Sequence, residues 1–245
     1  MVSKYLVIKK KIENFNKKIS VDGDKSLSIR WLLLASQCIG ISKARNLPKS
    51  EDVMSAIKCL KVLGIKIRFE QKNCFVEGRG INGFKFKKNL VLNAGNSGTV
   101  GRLILPLIIK SPYKIKVIGD KSLSRRDFSR VTKPLNKIGV NFFPYNKKNL
   151  PLTIIGSNYL RPIEYIENKG SAQVKTSLMF AALNTPGEIK ISAKKSRNHT
   201  ELMFKNLRIP MKIKSGKKID IIKLSSPNKI KNFNINIPGD ISSSA

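Results

Sequence analysis

The sequence predicts an α/β domain built from three β-α-β-α-β-β units whose helices are buried. Three observations carry this reading. First, a short polar motif opens an apolar run three times. Asp24-Lys25-Ser26 precedes residues 31–35, Asn96-Ser97-Gly98-Thr99 precedes 103–105, and Ser171-Ala172-Gln173 precedes 178–182. The starts at 24, 96 and 171 are 72 and 75 residues apart, the signature of an internal repeat. Second, each run ends at a breaker followed by a strand-like stretch: Gly40 with 41–47, Pro112 with 113–118, and Pro186-Gly187 with 188–192. Third, a second polar motif, a second helical pattern and two alternating strands close every unit.

In the first unit the second helix starts after Ser50, an N-cap residue, and carries Val53, Ile57, Leu60 and Leu63 at helical spacing. It stops at Gly64, and strands at 65–69 and 74–77 follow. In the second unit Ser124-Arg125-Arg126-Asp127 leads to Ser129 as the cap, Gly139 as the stop, and strands at 140–143 and 152–155. In the third, Ser196-Arg197-Asn198-His199-Thr200-Glu201 has Asn198 as the cap. Pro210 stands where the others have glycine, and strands are expected at 211–214 and 219–223. The runs 103–109 and 178–183 are apolar nearly all round, which marks helices buried on every side. The three units run over about 22–88, 89–158 and 159–230, within one domain of 18–234.

At 245 residues the chain is long enough to bury a core. Its longest apolar stretch, 103–109, is interrupted by Pro106 and is far short of the ~20 residues that span a bilayer, so no membrane partner is expected. The formal net charge is +33. Lysine supplies 37 of the 48 cations and arginine 11, and the lysines are scattered rather than gathered into a stripe. That pattern reads as a solvated basic surface able to steer small anions, and no specific nucleic acid is expected. The alternative of another class, a basic nucleic-acid-binding module, would require aromatic residues interleaved with the basic ones, and the polar motifs lack them. Cys38, Cys59 and Cys74 have no C-x-x-C spacing, and the single histidine is His199, so the metal assignment is none. Three scattered thiols fit a reducing, cytoplasmic location.

In this scheme the first motif of each unit lies at a strand-to-helix turn. Helix N-termini present free N–H groups and partial positive charge, so three converging starts make an anion site. The residues gathered there are Lys25, Ser26, Arg30, Asn96, Ser97, Gly98, Thr99, Ser171 and Gln173, with Arg126, Ser196 and Arg197 from the second motifs. Cations, hydroxyls and amides dominate, and Asp24 is the main acid. A phosphate or carboxylate ligand suits this set.

Six stretches in order carry a family resemblance: 23–30 (Gly-Asp-Lys-Ser-Leu-Ser-Ile-Arg), 93–99 (Asn-Ala-Gly-Asn-Ser-Gly-Thr), 119–126 (Gly-Asp-Lys-Ser-Leu-Ser-Arg-Arg), 171–175 (Ser-Ala-Gln-Val-Lys), 196–201, and 237–243 (Ile-Pro-Gly-Asp-Ile-Ser-Ser). The sequence resembles the 5-enolpyruvylshikimate-3-phosphate synthases, or 3-phosphoshikimate 1-carboxyvinyltransferases. The resemblance implies an inside-out α/β fold of two such three-unit domains, of which this chain carries the first. Residues 1–17 would join the absent second domain, and 235–245 would form the crossover into it. The related enolpyruvyl transferases of cell-wall synthesis share the fold, but Asp24-Lys25-Ser26 and the 196–201 stretch favour the shikimate enzymes.

The implied reaction moves the enolpyruvyl group of phosphoenolpyruvate to the 5-hydroxyl of shikimate 3-phosphate, in aromatic amino-acid biosynthesis, with no cofactor. The full-length enzyme is expected to be a monomer, and this chain alone to be inactive. By motif position Lys25 is the catalytic residue and contacts both substrates. Shikimate 3-phosphate falls to Lys25, Ser26, Arg30, Ser171, Ala172, Gln173, Ser196 and Arg197. Phosphoenolpyruvate falls to Lys25, Asn96, Gly98, Arg126 and Gln173. Gly98, where alanine in the family accompanies glyphosate tolerance, implies a glyphosate-sensitive pocket. Three departures stand out: Asp22 for a usual proline, Ile29 for a common histidine, and Asp127-Phe128 for Pro-Met. The acid beside Arg126 is expected to weaken its hold on an anion.

Overall fold

The structure, a computed structural model, describes Asn16 and residues 21–71 and 73–240. The expectations for the first 17 residues and for Ile241-Ser242-Ser243 therefore fall almost wholly outside the described residues. The elements run α1 (Lys25–Ser36), β1 (Ile39–Arg45), α2 (Glu51–Val62), β2 (Lys66–Glu70), β3 (Asn73–Arg79), β4 (Leu90–Asn93), α3 (Gly98–Leu103), β5 (Ile115–Ile118), α4 (Ser129–Ile138), β6 (Asn141–Phe143), β7 (Leu152–Ile155), β8 (Glu164–Glu167), α5 (Ala172–Ala182), β9 (Glu188–Lys194), α6 (His199–Asn206), β10 (Met211–Ser215), β11 (Ile219–Ser225) and β12 (Asn234–Asn236).

The strands form three sheets of four, ordered β12-β1-β3-β2, β4-β5-β7-β6 and β8-β9-β11-β10. Each has the same plan: one parallel pair at an edge (β12 with β1, β4 with β5, β8 with β9), then antiparallel pairing onward. The helices lie inside. Nine consecutive residues of α1, Ser28–Ser36, and nine of α5, Val174–Ala182, are buried, so neither helix has a solvent face. Trp31 is fully buried at the centre with its ring edge-on to Phe233 at 6.4 Å, and Phe180 stacks on Phe204 at 6.1 Å. The predicted inside-out α/β architecture of three repeated units is what the chain adopts.

Two details differ from the sequence reading. The apolar run 103–109 is not one helix: α3 ends at Leu103 and a 3₁₀ turn, Leu105–Leu107, continues it. Pro106 removes a backbone donor and crowds the preceding turn, so the α-helix cannot pass through it. Among the described residues, moreover, the first unit has no leading strand of its own. Its edge position is filled by β12 from the far end of the chain, with Lys43 opposite Asn234 and Arg45 opposite Asn236. Gly23 bridges Gly239 beside it. The end of the chain thereby clamps the start of α1, where the first polar motif lies.

The second helices stop as expected in two units, where Gly64 and Gly139 take φ of +86° and +115°. In the third, Arg208 adopts the left-handed backbone (φ +53°) two residues before Pro210. Ser50 and Asn198 occupy N-cap positions without a side-chain cap bond. Ser129 is instead the first residue of α4, after Phe128. Among the described residues, no helix is long and apolar enough to cross a membrane.

Candidate active site

The three first-motif helices begin with a side chain bonded to their own backbone. Asp24 Oδ1 accepts from the Leu27 amide at 2.6 Å, Ser97 Oγ from Val100 at 3.3 Å, and Ser171 Oγ from Val174 at 3.4 Å. Asp24, expected as the main acid of the site, thus serves as the cap of α1. The remaining first-turn N–H groups, Ala172's included, are the donors that helix geometry leaves open.

At α1, half-exposed Lys25 reaches across to the start of α2, where its Nζ lies 2.9 Å from Asp52 Oδ2. Burial alone would raise the Asp52 carboxyl. A hydrogen bond from Ser97, the ion pair with Lys25 and the nearby Arg126 charge outweigh burial and hold it below its ordinary value. Lys25, Ser26, Asp52 and Arg197 line a hollow of about 430 Å³ together with Asp22 and Asp240. Beneath it Arg30 is 3% exposed. Its side chain runs back along the helix, donating from Nη1 to Ser26 O at 3.0 Å and from Nε to Thr176 Oγ1 at 3.4 Å. Burial pulls its pKa down to about 10, opposed by Asp24 and Glu201, so the guanidinium stays charged at neutral pH.

At α3, Arg126 Nη2 donates to Asn96 Oδ1 at 3.2 Å. Arg102 links the second unit to the third. Its Nη1 donates to Gly98 O at 3.4 Å and to Gln173 Oε1 at 3.1 Å, and Gln173 Nε2 donates to Thr99 Oγ1 at 3.2 Å. Arg102, Arg126 and Arg130 surround a second hollow of about 410 Å³ with Ser171 and Gln173. Burial, then repulsion from Arg126 and Arg130, lowers the Arg102 pKa. Three guanidiniums around one hollow with few acids are stabilised by an anion between them. A β-carbon at Gly98 would meet Arg102 Nη1 at 2.9 Å and Arg126 Nη1 at 3.2 Å, so the absent side chain leaves room where the two cations approach.

Asp127, the acid beside Arg126, lines this same hollow. Its Oδ1 accepts from the Ser129 amide at 2.6 Å, capping the start of α4, while its backbone oxygen accepts from Arg102 Nη2 at 3.0 Å. Burial would raise this carboxyl, yet the Ser129 hydrogen bonds with Lys148 and Arg130 hold it low. Asp127 thus holds the start of the helix while facing the hollow, and Arg126 also bonds Asn96.

At α5, buried Glu167 anchors the loop before the helix, accepting from the amides of Lys169 (3.1 Å) and Ser171 (2.9 Å). Ser196 sits before α6, and its buried Oγ has no partner among the described residues. The sequence-predicted residues therefore fall on one connected face. Lys25, Ser26 and Arg197 line one hollow, and Arg126, Ser171 and Gln173 the other. Asn96 and Gly98 lie between them through the contacts of Asp52–Ser97 and Arg102. Sequence reasoning missed Asp52, Arg102 and Arg130. The signal available was Arg102 itself, a guanidinium four residues past Gly98 inside an otherwise apolar helix.

The sequence profile of EPSP synthase (3-phosphoshikimate 1-carboxyvinyltransferase) matches residues 9–245. The chain belongs to this family. It is 38% identical over 229 residues to the 3-phosphoshikimate 1-carboxyvinyltransferase of Streptococcus mutans, covering 93% of this chain and 52% of that protein. It is 37% identical, with the same coverage, to that of Streptococcus pyogenes serotype M4. Among solved structures, EPSP synthase from Acinetobacter baumannii superposes with a TM-score of 0.84 at 29% identity, covering 93% of this chain and 51% of the other. The chain spans about half the length of the curated relatives it matches.

In this member of the family the only histidine sits among the site cations. His199 is partly buried and its Nδ1 has no partner among the described residues. Burial, then the positive charges of Arg30 and Arg197, depress its pKa against the pull of Asp24 and Glu201. The unfolded chain then binds the proton more tightly, so stability is complete above the ordinary value near 6.5 and falls as pH drops below it. The melting temperature is expected to decrease from pH 7.5 to pH 5.5, and His199→Gln to flatten that slope in thermal scans. An equally steep slope in the variant would contradict the assignment.

Proposed function

We propose that this chain is the shikimate-3-phosphate-binding half of a 3-phosphoshikimate 1-carboxyvinyltransferase. One observation carries the reading: three helix starts from three repeated units lie along one face, with Lys25, Arg126 and Arg197 lining its hollows and Arg30 buried beside them. Family membership supports the same reading. In the complete reaction the 5-hydroxyl gives up its proton and its oxygen bonds to C2 of phosphoenolpyruvate while C3 takes up a proton. The C2–O bond to phosphate then breaks as the new methyl group gives up a proton, leaving the enol ether and inorganic phosphate.

Lys25, which lines the first hollow and is paired with Asp52, contacts both substrates in this reading and carries a proton. Arg30 and Ser26 hold the carboxylated ring. Ser171, the Ala172 amide, Ser196 and Arg197 take the ring phosphate, and Gln173 lies between the substrates. Asn96, Gly98 and Arg126 form the phosphoenolpyruvate side, which makes glyphosate a competitor there. These cations stabilise the anionic groups without reorganising at the moment of reaction. Turnover requires groups preorganised on both sides of the cleft, so these 245 residues by themselves bind and do not catalyse. Isothermal titration with shikimate 3-phosphate is expected to show binding near the millimolar level that weakens with added salt. No heat and no thermal shift at millimolar ligand would contradict the reading, whereas tight, steeply salt-dependent binding of duplex DNA would favour a nucleic-acid module.

A further inference from the structure

Between the first turns of α5 and α6 lies a buried ion pair that the reaction scheme does not use. Lys175 is 1% and Glu201 7% exposed, with Nζ 2.5 Å from Oε1, and Glu201 Oε2 has no hydrogen-bond partner among the described residues. A cation in the first turn of a helix works against the helix dipole, so Lys175 is unfavourable for α5 taken alone. Nor does such a pair raise stability by itself, since desolvating two charges cancels much of their attraction. What it does is join two places. Lys175 lies four residues after Ser171, and Glu201 four after Arg197. The adjacent residues repeat the link: Thr176 and Thr200 share a hydroxyl hydrogen bond of 2.8 Å, and Thr176 also accepts from Arg30.

We propose that Lys175 and Glu201 are positioning residues whose buried pair sets the spacing between Ser171 at the start of α5 and Ser196–Arg197 at the start of α6, and so shapes the cradle for the phosphate of the ring substrate. The proposal rests on the functional reading above. It deepens that reading by separating recognition of the phosphate from recognition of the ring: the pair governs the first, and Arg30 with Ser26 governs the second.

The test is Lys175→Met combined with Glu201→Leu, which replaces the pair with apolar groups. Calorimetry with shikimate 3-phosphate and with unphosphorylated shikimate is read beside amide hydrogen exchange at residues 171–174 and 196–202. The variant is expected to fold with a melting temperature close to the parent's. It should lose about tenfold in affinity for shikimate 3-phosphate, keep shikimate affinity within about twofold, and exchange faster at both helix starts and not at α3. Equal weakening of both ligands, or a parental preference with parental exchange, would overturn the proposal. If the parent chain itself does not prefer the phosphorylated ligand, the functional reading fails, and the exchange pattern still decides whether the pair spaces the two helices. If the variant does not fold, Lys175→Met with Glu201→Gln carries the same two readouts. Failure of both variants to fold would make the pair structural and overturn the positioning role.

Discussion

Arg30→Met is expected to abolish binding of both shikimate and shikimate 3-phosphate while leaving the fold in place. The side chain lies back toward the start of α1, with two donors committed to Ser26 O and Thr176 Oγ1. Those bonds fix the plane of the guanidinium, and a planar fork held in place loses little entropy on meeting a carboxylate. Charge-assisted hydrogen bonds of this kind are worth roughly 1.5–3 kcal/mol each, so losing even one removes about 10- to 100-fold in affinity. For a ligand bound near the millimolar level, that is the whole measurable signal. Stability is expected to change little, because methionine fills the volume, a buried cation leaves a site already rich in cations, and Thr176 keeps its bond to Thr200. Calorimetry and a thermal scan on one preparation check both halves. Retained shikimate binding in a folded variant would remove Arg30 from the site.

Gly78→Ala is expected to cost a large share of the domain's stability. Gly78 lies in β3 opposite Gly40 of β1, where the first sheet crosses the end of α1. A β-carbon there would sit 2.3 Å from both the Ala35 and the Cys38 carbonyl oxygens. These are backbone atoms, so relief requires moving the sheet off the buried helix, unlike Gly98, whose two nearest neighbours are the ends of arginine side chains. A strain of this kind is worth about 3 kcal/mol or more, set against a total of roughly 5–15 kcal/mol for a domain. Chemical denaturation should show the midpoint falling with an unchanged slope. A loss below about 1 kcal/mol would mean that the packing of α1 against the first sheet is looser than described.

The architecture was legible because its signals are local. A cap residue, an apolar run and a breaker recur at 24, 96 and 171, and helices apolar on every side announce an inside position before any coordinate is known. The closing strands at 152–155 and the glycine stops at 64 and 139 came from the same short-range chemistry. What escaped was non-local. No periodicity in residues 234–236 says that they complete the sheet begun at Ile39, since pairing partners almost 200 residues apart are chosen by the closure of the fold. Pro106 was visible inside the second run, but its consequence, an α-helix cut to six residues and finished as a 3₁₀ turn, depends on how much of that run the core could take up.

The site divides in the same way. Lys25, Arg126 and Ser171 stand in motifs and could be named from them. Arg102 acts across a unit boundary on Gln173, and Asp52 joins Lys25 of its own unit to Ser97 of the next, so their importance lies in a juxtaposition that only packing creates. Asp127 was visible as the acid beside Arg126, and it lines the same hollow, but its bond to the Ser129 amide at the start of α4 was not legible.

The most direct test is a crystal structure of this chain soaked with shikimate 3-phosphate. The ligand is predicted to lie across the three helix starts, with its ring carboxylate on Arg30, its phosphate among Ser171, Ser196 and Arg197, and its 5-hydroxyl toward Lys25. Ligand density elsewhere on the basic surface, with these side chains left as they stand in the free chain, would contradict a single converged anion site.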